Sequence, residues 1–199
     1  MNVMRRLLRG TAALAVAATV VAPAGATSLE RASLDELTTT NSTILVGEVL
    51  DAHSYWNREG NFILTDVVVA AKQVLKGRVD GPELTVTLMG GSVGETTTLI
   101  LGGAELAPGR RYVLFLNEED LPGVQGVRTV RDHVQGAFEI VKGRDGVRAV
   151  SQASRHPLAP DAAGLVEAPG GTDGLSLPGM IGSIRETLGR EAGSQGRGR

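Results

Sequence analysis

Short apolar segments separated by turn residues fill the middle of the chain. In residues 83–89, ELTVTLM, the apolar Leu84, Val86 and Leu88 alternate with polar neighbours, which is the period of a strand with one buried face. The segment 42–52, STILVGEVLDA, is rich in β-branched residues and is apolar on both faces of a pleat. It is therefore predicted to form a strand that is buried on both sides, as in a barrel.

Turn residues separate these two strands from others of the same kind. Further strands are predicted over residues 62–75, 95–101, 111–117, 127–130, 136–142 and 147–150. The Asp145-Gly146 pair predicts a hairpin between the last two strands, and residues 53–61 and 118–126 are predicted loops. Nothing between the strands has the length and period of a helix, which argues against a parallel α/β sheet. The pattern predicts an all-β barrel or sandwich.

Short helices are predicted on either side of this region. Residues 33–36, SLDE, have the S-x-x-E form in which a serine and a glutamate satisfy each other's neighbouring backbone donors, so we expect a helix over residues 33–39. Near the end of the chain, Ser176 can cap a second helix with Pro178 in its first turn. The apolar residues on one stripe of that helix are Leu177, Ile181, Ile184 and Leu188. This helix docks on the strands, binds a partner or stays partly folded, and the sequence leaves the three open.

The first residues carry the features of an export signal. Arg5, Arg6 and Arg9 precede an apolar run that ends in the small residues Ala24-Gly25-Ala26, which predicts a secretory signal peptide cut after Ala26. A membrane anchor needs about 20 uninterrupted apolar residues, whereas this run is shorter and contains Pro23. The paired arginines leave a twin-arginine route open. We therefore expect a secreted or periplasmic protein without a stable membrane span after cleavage.

The composition changes again after residue 151. The segment 152–175 is rich in Ala, Pro and Gly and lacks aromatic residues, which is typical of a flexible linker. The expected parts are a signal peptide at 1–26, a β-barrel domain at 27–151, a flexible linker at 152–175, and a short helix with a disordered tail at 176–199, the disorder beginning near Gly193.

Charge and cysteine content narrow the class of function. The chain has 20 Lys and Arg against 22 Asp and Glu, and no cysteine. Loss of the signal peptide removes three arginines and makes the protein more acidic. An acidic chain is a poor partner for nucleic acid, because phosphates need a concentrated basic face. Without cysteine the exported domain has no disulfide and no thiolate metal site, so its stability has to come from an apolar core.

One glycine-rich segment matches an enzyme motif. Gly90-Gly91-Ser92-Val93-Gly94 fits the G-x-S-x-G pattern of a hydrolase nucleophile elbow, and Asp132 and His133 follow in the chain order of such enzymes. An elbow needs a helix after the serine, whereas residues 95–99 are β-branched and predict a strand. Asp132 and His133 are neighbours, so an extended backbone directs them to opposite faces. We predict no catalytic residue and a glycine-rich hairpin loop in which Ser92 is a contact, with a secreted serine hydrolase as an alternative.

The predicted loop 53–61 carries candidate binding side chains. Tyr55, Trp56 and Arg58 lie in it, and Trp56 is the only tryptophan. Aromatic residues with an arginine on a loop are typical of binding anchors. Alternatively Trp56 plugs the end of the barrel, since large aromatic side chains dominate core burial. The predicted binding surface consists of Tyr55, Trp56, Arg58, Gly90, Gly91 and Ser92.

No residue pattern points to a metal or a cofactor. The three histidines, at positions 53, 133 and 156, are far apart and lack metal-ligand spacing. Acidic residues cluster at 118–120, and Asp66 lies inside an apolar strand, but the alternating spacing of a calcium loop is absent. The glycine segment is not followed by the Lys-Ser/Thr pair and helix of a phosphate cradle. We therefore predict neither a cofactor nor a metal site.

The order of segments resembles a group of secreted bacterial β-barrel proteins. The resemblance spans residues 33–141 and is carried by STILVGEVLDAHSYW, ILTDVVVAAKQVLKG, a strand ending in LMGG, LAPGRRYVLFLN and QGAFEIV. This group is similar to the OB-like barrel of netrin modules and tissue inhibitors of metalloproteinases. The resemblance implies a small extracellular barrel that binds proteins rather than transforming substrates. Those inhibitors reach the catalytic zinc with a cysteine at the mature N-terminus, which this chain lacks, so no inhibitory residue is carried over.

Together these features lead to one hypothesis with two alternatives. We expect an all-β, mainly antiparallel barrel of OB-like type, closed or partly open, with short flanking helices and a disordered C-terminal linker. It is expected to act as a secreted non-catalytic binding or regulatory module whose partner is an extracellular protein, such as a protease. The alternatives are an inhibitor or regulator of metalloproteases and a serine hydrolase that uses Ser92.

Overall fold

Ten strands and two α-helices form in the residues that the computed structural model describes, which are 32–130, 134–155 and 173–196. In chain order they are α1 (Leu34–Thr40), β1 (Thr43–Trp56), β2 (Ile63–Lys76), β3 (Glu83–Met89), β4 (Gly91–Val93), β5 (Thr96–Thr98), β6 (Arg111–Leu121), β7 (Val124–Val130), β8 (Ala137–Gly143), β9 (Gly146–Ser151), β10 (Leu175–Ser176) and α2 (Leu177–Gly196). A short 3₁₀ helix at Gln152–Arg155 follows β9. The predicted signal peptide and most of the predicted linker lie outside the described residues.

Antiparallel pairing joins eight of the strands into one sheet. Its order is β10-β9-β8-β6-β1-β2-β3, with β7 added to β6, while β4 and β5 form a separate hairpin. β3 and β7 lie beside each other but share no ladder, so the sheet is not closed into a barrel. Since every pairing that connects these two strands is antiparallel, they run in the same direction. We call the boundary between β3 and β7 the seam. The predicted mainly antiparallel β fold with flanking helices is confirmed.

The central strands β1 and β6 bury side chains on both faces. The layer on one face, the inner core, comes from strands and from the loop before β6. It contains Leu45, Val49, Val67, Val69, Leu84, Val86, Leu106, Tyr112, Leu114, Leu116, Val130 and Ala137. The layer on the other face, the outer core, is covered by α1 and α2 and contains Leu37, Ile44, Val113, Phe115, Phe138, Ile140, Ala149, Met180 and Ile184. Two buried layers explain why the sequence of β1 is apolar on both faces of its pleat.

Both predicted helices form, and the second docks on the sheet. α1 begins after Ser33, whose Oγ accepts a hydrogen bond from the Glu36 backbone N–H at 3.1 Å, as the S-x-x-E pattern predicts. In α2, Met180 and Ile184 are buried in the outer core, which decides among the three possibilities left open for this helix. α2 continues to Gly196, so the helix extends into the segment for which disorder was expected from Gly193. Within the described residues, neither helix has the length and apolar composition needed to cross a membrane.

Several strand boundaries differ from the predicted ones because cross-strand pairing extends them. The segment predicted as loop 53–61 begins as strand, since β1 continues to Trp56 and pairs with Ile63. The polar segment 118–126 forms the end of β6 and the start of β7, which pair through Glu118 and Arg128. Polar residues that face solvent on both sides hide a strand from a periodicity argument, because pairing partners lie elsewhere in the chain.

The remaining differences concern two segments with strong local signals. In the predicted strand 95–101, only Thr96–Thr98 pairs, as β5. Both ends of the predicted linker belong to the fold, since Gln152 is buried and Leu175 pairs with Ala149. The predicted hairpin at Asp145-Gly146 is confirmed, with Gly143 paired to Gly146 across it.

Candidate functional site

The glycine-rich segment is fixed against the ends of β1 and β2. The Gly90 N–H donates to the Ile63 carbonyl at 2.9 Å, and the Gly90 carbonyl accepts from Thr65 Oγ1 at 2.7 Å. The Ser54 hydroxyl lies 2.8 Å from the same Thr65 oxygen. Gly91 covers this hydroxyl pair with a φ of 132°, and a Cβ at that position would overlap both oxygens. Glycine is therefore needed at 91 both for its backbone conformation and for the close approach.

Ser92 lies in a β-hairpin, as the strand character of the residues after it predicts. It occupies β4 and pairs with Thr97 of β5, and the two hydroxyl oxygens are 2.8 Å apart on an exposed face. β5 rather than a helix follows the serine, so the backbone of a nucleophile elbow is not formed here. Asp132 and His133, the other residues of the hydrolase alternative, lie outside the described residues.

The three candidates around the end of β1 have different environments. The Tyr55 hydroxyl donates to Asp66 Oδ1 at 3.2 Å, and burial, followed by the charge and hydrogen bond of Asp66, raises the pKa of Tyr55 above 10.0. Trp56 is 40% exposed and belongs to neither buried core. Arg58 is exposed in the turn between β1 and β2.

The predicted surface is split by the pleat of β1. Ser54 faces Gly91, and because successive side chains of a strand point to opposite faces, Tyr55 points the other way, towards Asp66. Gly90, Gly91 and Ser92 therefore belong to one side of the β1 end, and Tyr55 belongs to the other. The structure brings the hairpin and β1 together, as the predicted surface requires, but it divides that surface into two sites.

The first site is an apolar pocket beneath the β4–β5 hairpin. It has a volume of about 260 Å³ and is walled by Val67 and Leu106 of the inner core and by Ile100 from the loop after β5. Two leucines of this loop project into solvent: Leu99 is 76% exposed and Leu101 is 87% exposed. Sequence reasoning missed them, because LIL reads as part of a strand and nothing local shows that it lacks a pairing partner.

The second site is a polar groove of about 400 Å³ along the seam. Its lining residues are Tyr55, Asp66, Thr85, Thr87, Glu118, Val124, Gly126, Val127 and Arg128. Asp66 Oδ1 accepts from the Tyr55 hydroxyl and, at 2.7 Å, from Thr87 Oγ1. On the opposite wall, Arg128 Nη2 is 3.7 Å from Glu118 Oε1, and Arg128 Nε is buried without a hydrogen-bond partner in the described residues.

A buried asparagine holds the turns next to this groove. Asn57 Oδ1 accepts from the N–H groups of Asn61 and Phe62 at 3.0 and 3.1 Å, which shapes the β1–β2 turn. Its Nδ2 donates to the Pro122 carbonyl at 3.3 Å in the β6–β7 turn. Gly123 packs against the same side chain. Asn57 thus ties together two turns that are far apart in sequence, and a polar residue in a polar segment gave no signal of this role.

The acidic residues considered for calcium have other partners. Asp120 Oδ1 accepts from the Gly126 N–H at 2.9 Å, and Glu118 is the ion-pair partner of Arg128. In the described parts of the chain, no three His, Asp or Glu side chains converge in a way that could hold a metal ion. These carboxylates contribute to the β6–β7 hairpin and to the seam.

Comparison with known proteins adds no family. No protein-family profile matches the chain, and no curated protein matches it significantly. The class is therefore defined by the structure: a mainly antiparallel β protein with two helices packed on one face of the sheet, an apolar pocket next to the inner core and a polar groove along the seam.

Proposed function

We propose that this protein is a secreted, non-catalytic binding module that holds a protein partner at the apolar pocket beneath the β4–β5 hairpin. The observation that carries the proposal is the exposure of Leu99 and Leu101, at 76% and 87%, beside a pocket of about 260 Å³. Large apolar side chains exposed around a pocket are typical of interaction surfaces. Export to the outside of the cell rests on the signal peptide predicted in residues 1–26.

The surroundings of the pocket support a protein as the partner. Trp56 is partly exposed at the end of β1, and its cross-strand neighbour Ile63 is bonded to Gly90 at the base of the hairpin. A tryptophan and leucines around a pocket offer the apolar centre on which protein interfaces depend, with the pocket available to one side chain of the partner. The hairpin is held by backbone and hydroxyl contacts, which gives the surface a defined shape before binding.

We also propose that the strands form a partly open barrel of OB-like type. The contact between β3 and β7 would complete a ring in the order β1-β2-β3-β7-β6 around the inner core. A cavity of about 30 Å³ and the polar groove are each lined by residues of both strands and lie along that contact. This arrangement supports the resemblance to netrin modules and to tissue inhibitors of metalloproteinases, in which a small barrel binds proteins.

The test is capture of a partner from the secreted proteins of the source organism. Tagged protein of residues 27–199 should enrich a specific protein, and the double change Leu99→Asp and Leu101→Asp should abolish the enrichment. Val147→Asp is the matched control, because Val147 is 38% exposed but lies on β9, which pairs with β8 and β10. Equal capture by the double variant and the wild type would reject the proposed surface.

The same preparation tests both alternatives. If the captured protein is a protease, dose-dependent loss of its activity on addition of the purified protein would assign the regulatory role. A fluorophosphonate probe should leave the folded protein unlabelled, and labelling that disappears in Ser92→Ala would establish the hydrolase instead.

A further inference from the structure

The polar groove is lined by hydrogen-bonding side chains from two separate parts of the fold. One wall comes from β1, β2 and β3, and the other comes from the β6–β7 hairpin. Its volume of about 400 Å³ lies in the range of small-molecule sites, which is about 300–1,000 Å³. Among the described residues, the groove and the apolar pocket have no lining residue in common. The groove is therefore a separate candidate site for a small polar ligand.

Asp66 is a fixed acceptor on the first wall. Its Oδ1 accepts from the Tyr55 hydroxyl at 3.2 Å and from Thr87 Oγ1 at 2.7 Å. Both donors use the same oxygen, and no described residue donates to Oδ2. Thr85 lies on the same face of β3 as Thr87 and adds a hydroxyl that can donate or accept. This wall therefore holds a carboxylate in place and leaves one of its oxygens for a ligand.

Arg128 supplies donors on the second wall. It lines the groove with a side chain that is 28% exposed, and a guanidinium carries five N–H donors. Its contact with Glu118, 3.7 Å from Nη2 to Oε1, is too long for a hydrogen bond. Because Nε is itself buried, a ligand would meet the Nη groups. Within residues 32–130, 134–155 and 173–196 the guanidinium donates no hydrogen bond, so donors remain for a ligand.

The charges in the groove favour an uncharged ligand. Its charged lining residues are the carboxylates of Asp66 and Glu118 and the guanidinium of Arg128. A cation is repelled by the guanidinium, and an anion is repelled by both carboxylates. A zwitterion such as a free amino acid is no better placed, because a carboxylate bound to Arg128 would lie beside Glu118. A neutral ligand avoids these costs, and its hydrogen bonds to charged groups are stronger than those between neutral groups.

Hydroxyl groups match the donors and acceptors of both walls. Each hydroxyl donates one hydrogen bond and accepts others, so a ligand with several hydroxyl groups can donate to Asp66 and accept from Arg128. Val124 and Val127 add an apolar strip beside these polar groups, and the C–H groups on the face of a sugar ring can pack against such a strip. A neutral sugar therefore suits the charge, the hydrogen-bonding groups and the apolar part of the groove.

We propose that the polar groove binds a neutral sugar ring, either free or as a unit of a glycan. Hydroxyl groups of the ring donate to Asp66 and accept from Arg128, and the ring packs against Val124 and Val127. This assignment goes beyond the proposed function, since it gives a second kind of ligand to a site apart from the apolar pocket.

Matched sets of sugars test the class of ligand. Glucose, glucuronate and glucosamine differ in charge on nearly the same ring, as do galactose, galacturonate and galactosamine, and mannose and N-acetylglucosamine extend the neutral set. Each is titrated into the isotope-labelled mature protein and followed by NMR, at a pH at which the amino sugars are cationic. At least one neutral sugar should bind saturably, about tenfold or more tightly than its uronate, and shift the amide signals of β3 and β7. Binding of no neutral sugar, or tighter binding of the charged members of a set, overturns the proposal.

Methyl glycosides of the selected sugar identify its source. A methyl glycoside that binds as well as the free sugar shows that the groove accepts a unit of a glycan. Binding of the free sugar alone shows that the ligand is a monosaccharide. Both results support a neutral sugar in the groove.

Variants on both walls assign the sugar to the groove. Asp66→Asn keeps the size of the side chain but removes the charged acceptor, and it should weaken binding of the selected sugar by roughly tenfold. Asp80→Asn is its control, because the Asp80 side chain is 82% exposed and does not line the groove. Arg128→Gln should give a loss of similar size, with the exposed Arg144→Gln in the β8–β9 turn as its control. Circular dichroism and the urea midpoint show that each variant is folded. Folded Asp66→Asn and Arg128→Gln proteins that bind as wild type contradict the assignment.

The double variant Leu99→Asp and Leu101→Asp separates this site from the proposed protein surface. It should bind the selected sugar as wild type does, because neither leucine lines the groove. Loss of sugar binding in this variant, with the fold intact, contradicts the placement of the sugar in the groove. If no sugar binds but a partner is captured, the sugar proposal fails while the proposed protein-binding function stands, and the reverse result rejects only the latter.

Discussion

The helix-covered face and the seam differ in how their polar groups are satisfied. On the outer face, the carbonyl groups at the end of α1 are satisfied by Lys76, whose Nζ donates to Thr38 and Thr39 at 2.7 and 2.9 Å. At the seam, by contrast, two strand edges face each other without a ladder and Arg128 Nε has no partner among the described residues. The helix-covered face has one buried oxygen without a partner among the described residues, Asn41 Oδ1 at the end of α1, whereas the seam combines an unpartnered arginine donor with two strand edges that share no ladder.

The two helices are also joined by polar contacts in which donors and acceptors are paired. Asp35 of α1 accepts from Thr187 Oγ1 at 2.6 Å and from Arg190 Nη2 at 2.9 Å, both in α2. Beneath these contacts, Phe115 and Phe138 pack with ring centroids 5.7 Å apart. In natural proteins, local rules of packing and polar pairing are most often broken at functional sites. The helix side of the sheet therefore stabilises the fold, and the seam side is where binding is to be sought.

The largest effect is expected from truncation of an aromatic side chain in the outer core. Phe115 is fully buried, so Phe115→Ala should lower the free energy of unfolding by about 3–5 kcal/mol, through lost burial and the cavity it leaves. Trp56 belongs to neither core and is 40% exposed. Trp56→Ala should therefore lower the free energy of unfolding by only about 1 kcal/mol. Urea unfolding followed by circular dichroism measures both. Equal losses would place Trp56 in the core, as the plug interpretation requires.

The second-largest effect is expected from a substitution in α2, which tests how much the docking of this helix stabilises the fold. Ile184 of α2 is fully buried, and Ile184→Ala should cost about 2–4 kcal/mol. Leu101→Ala, at the exposed loop beside the apolar pocket, should change stability by less than about 0.5 kcal/mol while weakening capture of a partner. A small loss for Ile184→Ala would mean that α2 is dispensable, and the contrast between the two regions would then disappear.

Sequence patterns predict the helix-covered part of the fold well. The apolar character of β1 on both faces predicted its double burial, and the S-x-x-E pattern predicted the start of α1. The prediction of which α2 residues are buried was only partly right. Ile184 is buried as expected, but Met180 rather than Ile181 is buried beside it. Periodicity reports which residues are buried, because burial in a regular element repeats along the chain.

The apolar pocket and the polar groove were harder to predict from the sequence. Tyr55 and the glycine hairpin were chosen for their residue types and do line the two cavities. Arg128 was not chosen, because its unpaired donor arises where β7 meets β3, a neighbour that is distant in sequence. No pattern in the nearby sequence shows that β3 and β7 are neighbours, or that Leu99 lacks a strand partner.

The third effect concerns the rigidity of the hairpin. Gly91→Ala should cost about 1–3 kcal/mol, because it combines a φ of 132° with overlap of the Ser54 and Thr65 hydroxyl groups. Gly94→Ala is the matched control: its φ is 62°, but a Cβ there meets open space, so only the backbone term of about 1 kcal/mol applies. Thermal unfolding of both variants gives the difference. If the two losses are equal, the contacts of Gly91 do not fix the hairpin.

The smallest effect is a response to pH confined to the seam. Burial, followed by Asp66, raises the pKa of Tyr55 above 10.0, so the folded protein holds this proton to a higher pH than the unfolded chain does. The resulting stabilisation is fully present below pH 10.0 and is lost as the pH rises through the folded-state pKa. The melting temperature of the wild type should therefore fall more steeply above pH 10 than that of Tyr55→Phe.

A second variant separates the effect of burial on the pKa of Tyr55 from the effect of the Asp66 charge. Asp66→Asn removes the neighbouring charge but leaves the tyrosine in place, and burial is the larger cause. The alkaline slope of this variant should therefore lie between those of wild type and Tyr55→Phe, because desolvation of the phenolate remains. If Asp66→Asn is as flat as Tyr55→Phe, the charge of Asp66 dominates and the Tyr55 side of the groove is more hydrated than its burial implies. An intermediate slope would instead mean that Tyr55 lies in a partly dry part of the groove, where hydrogen bonds such as that to Asp66 gain strength.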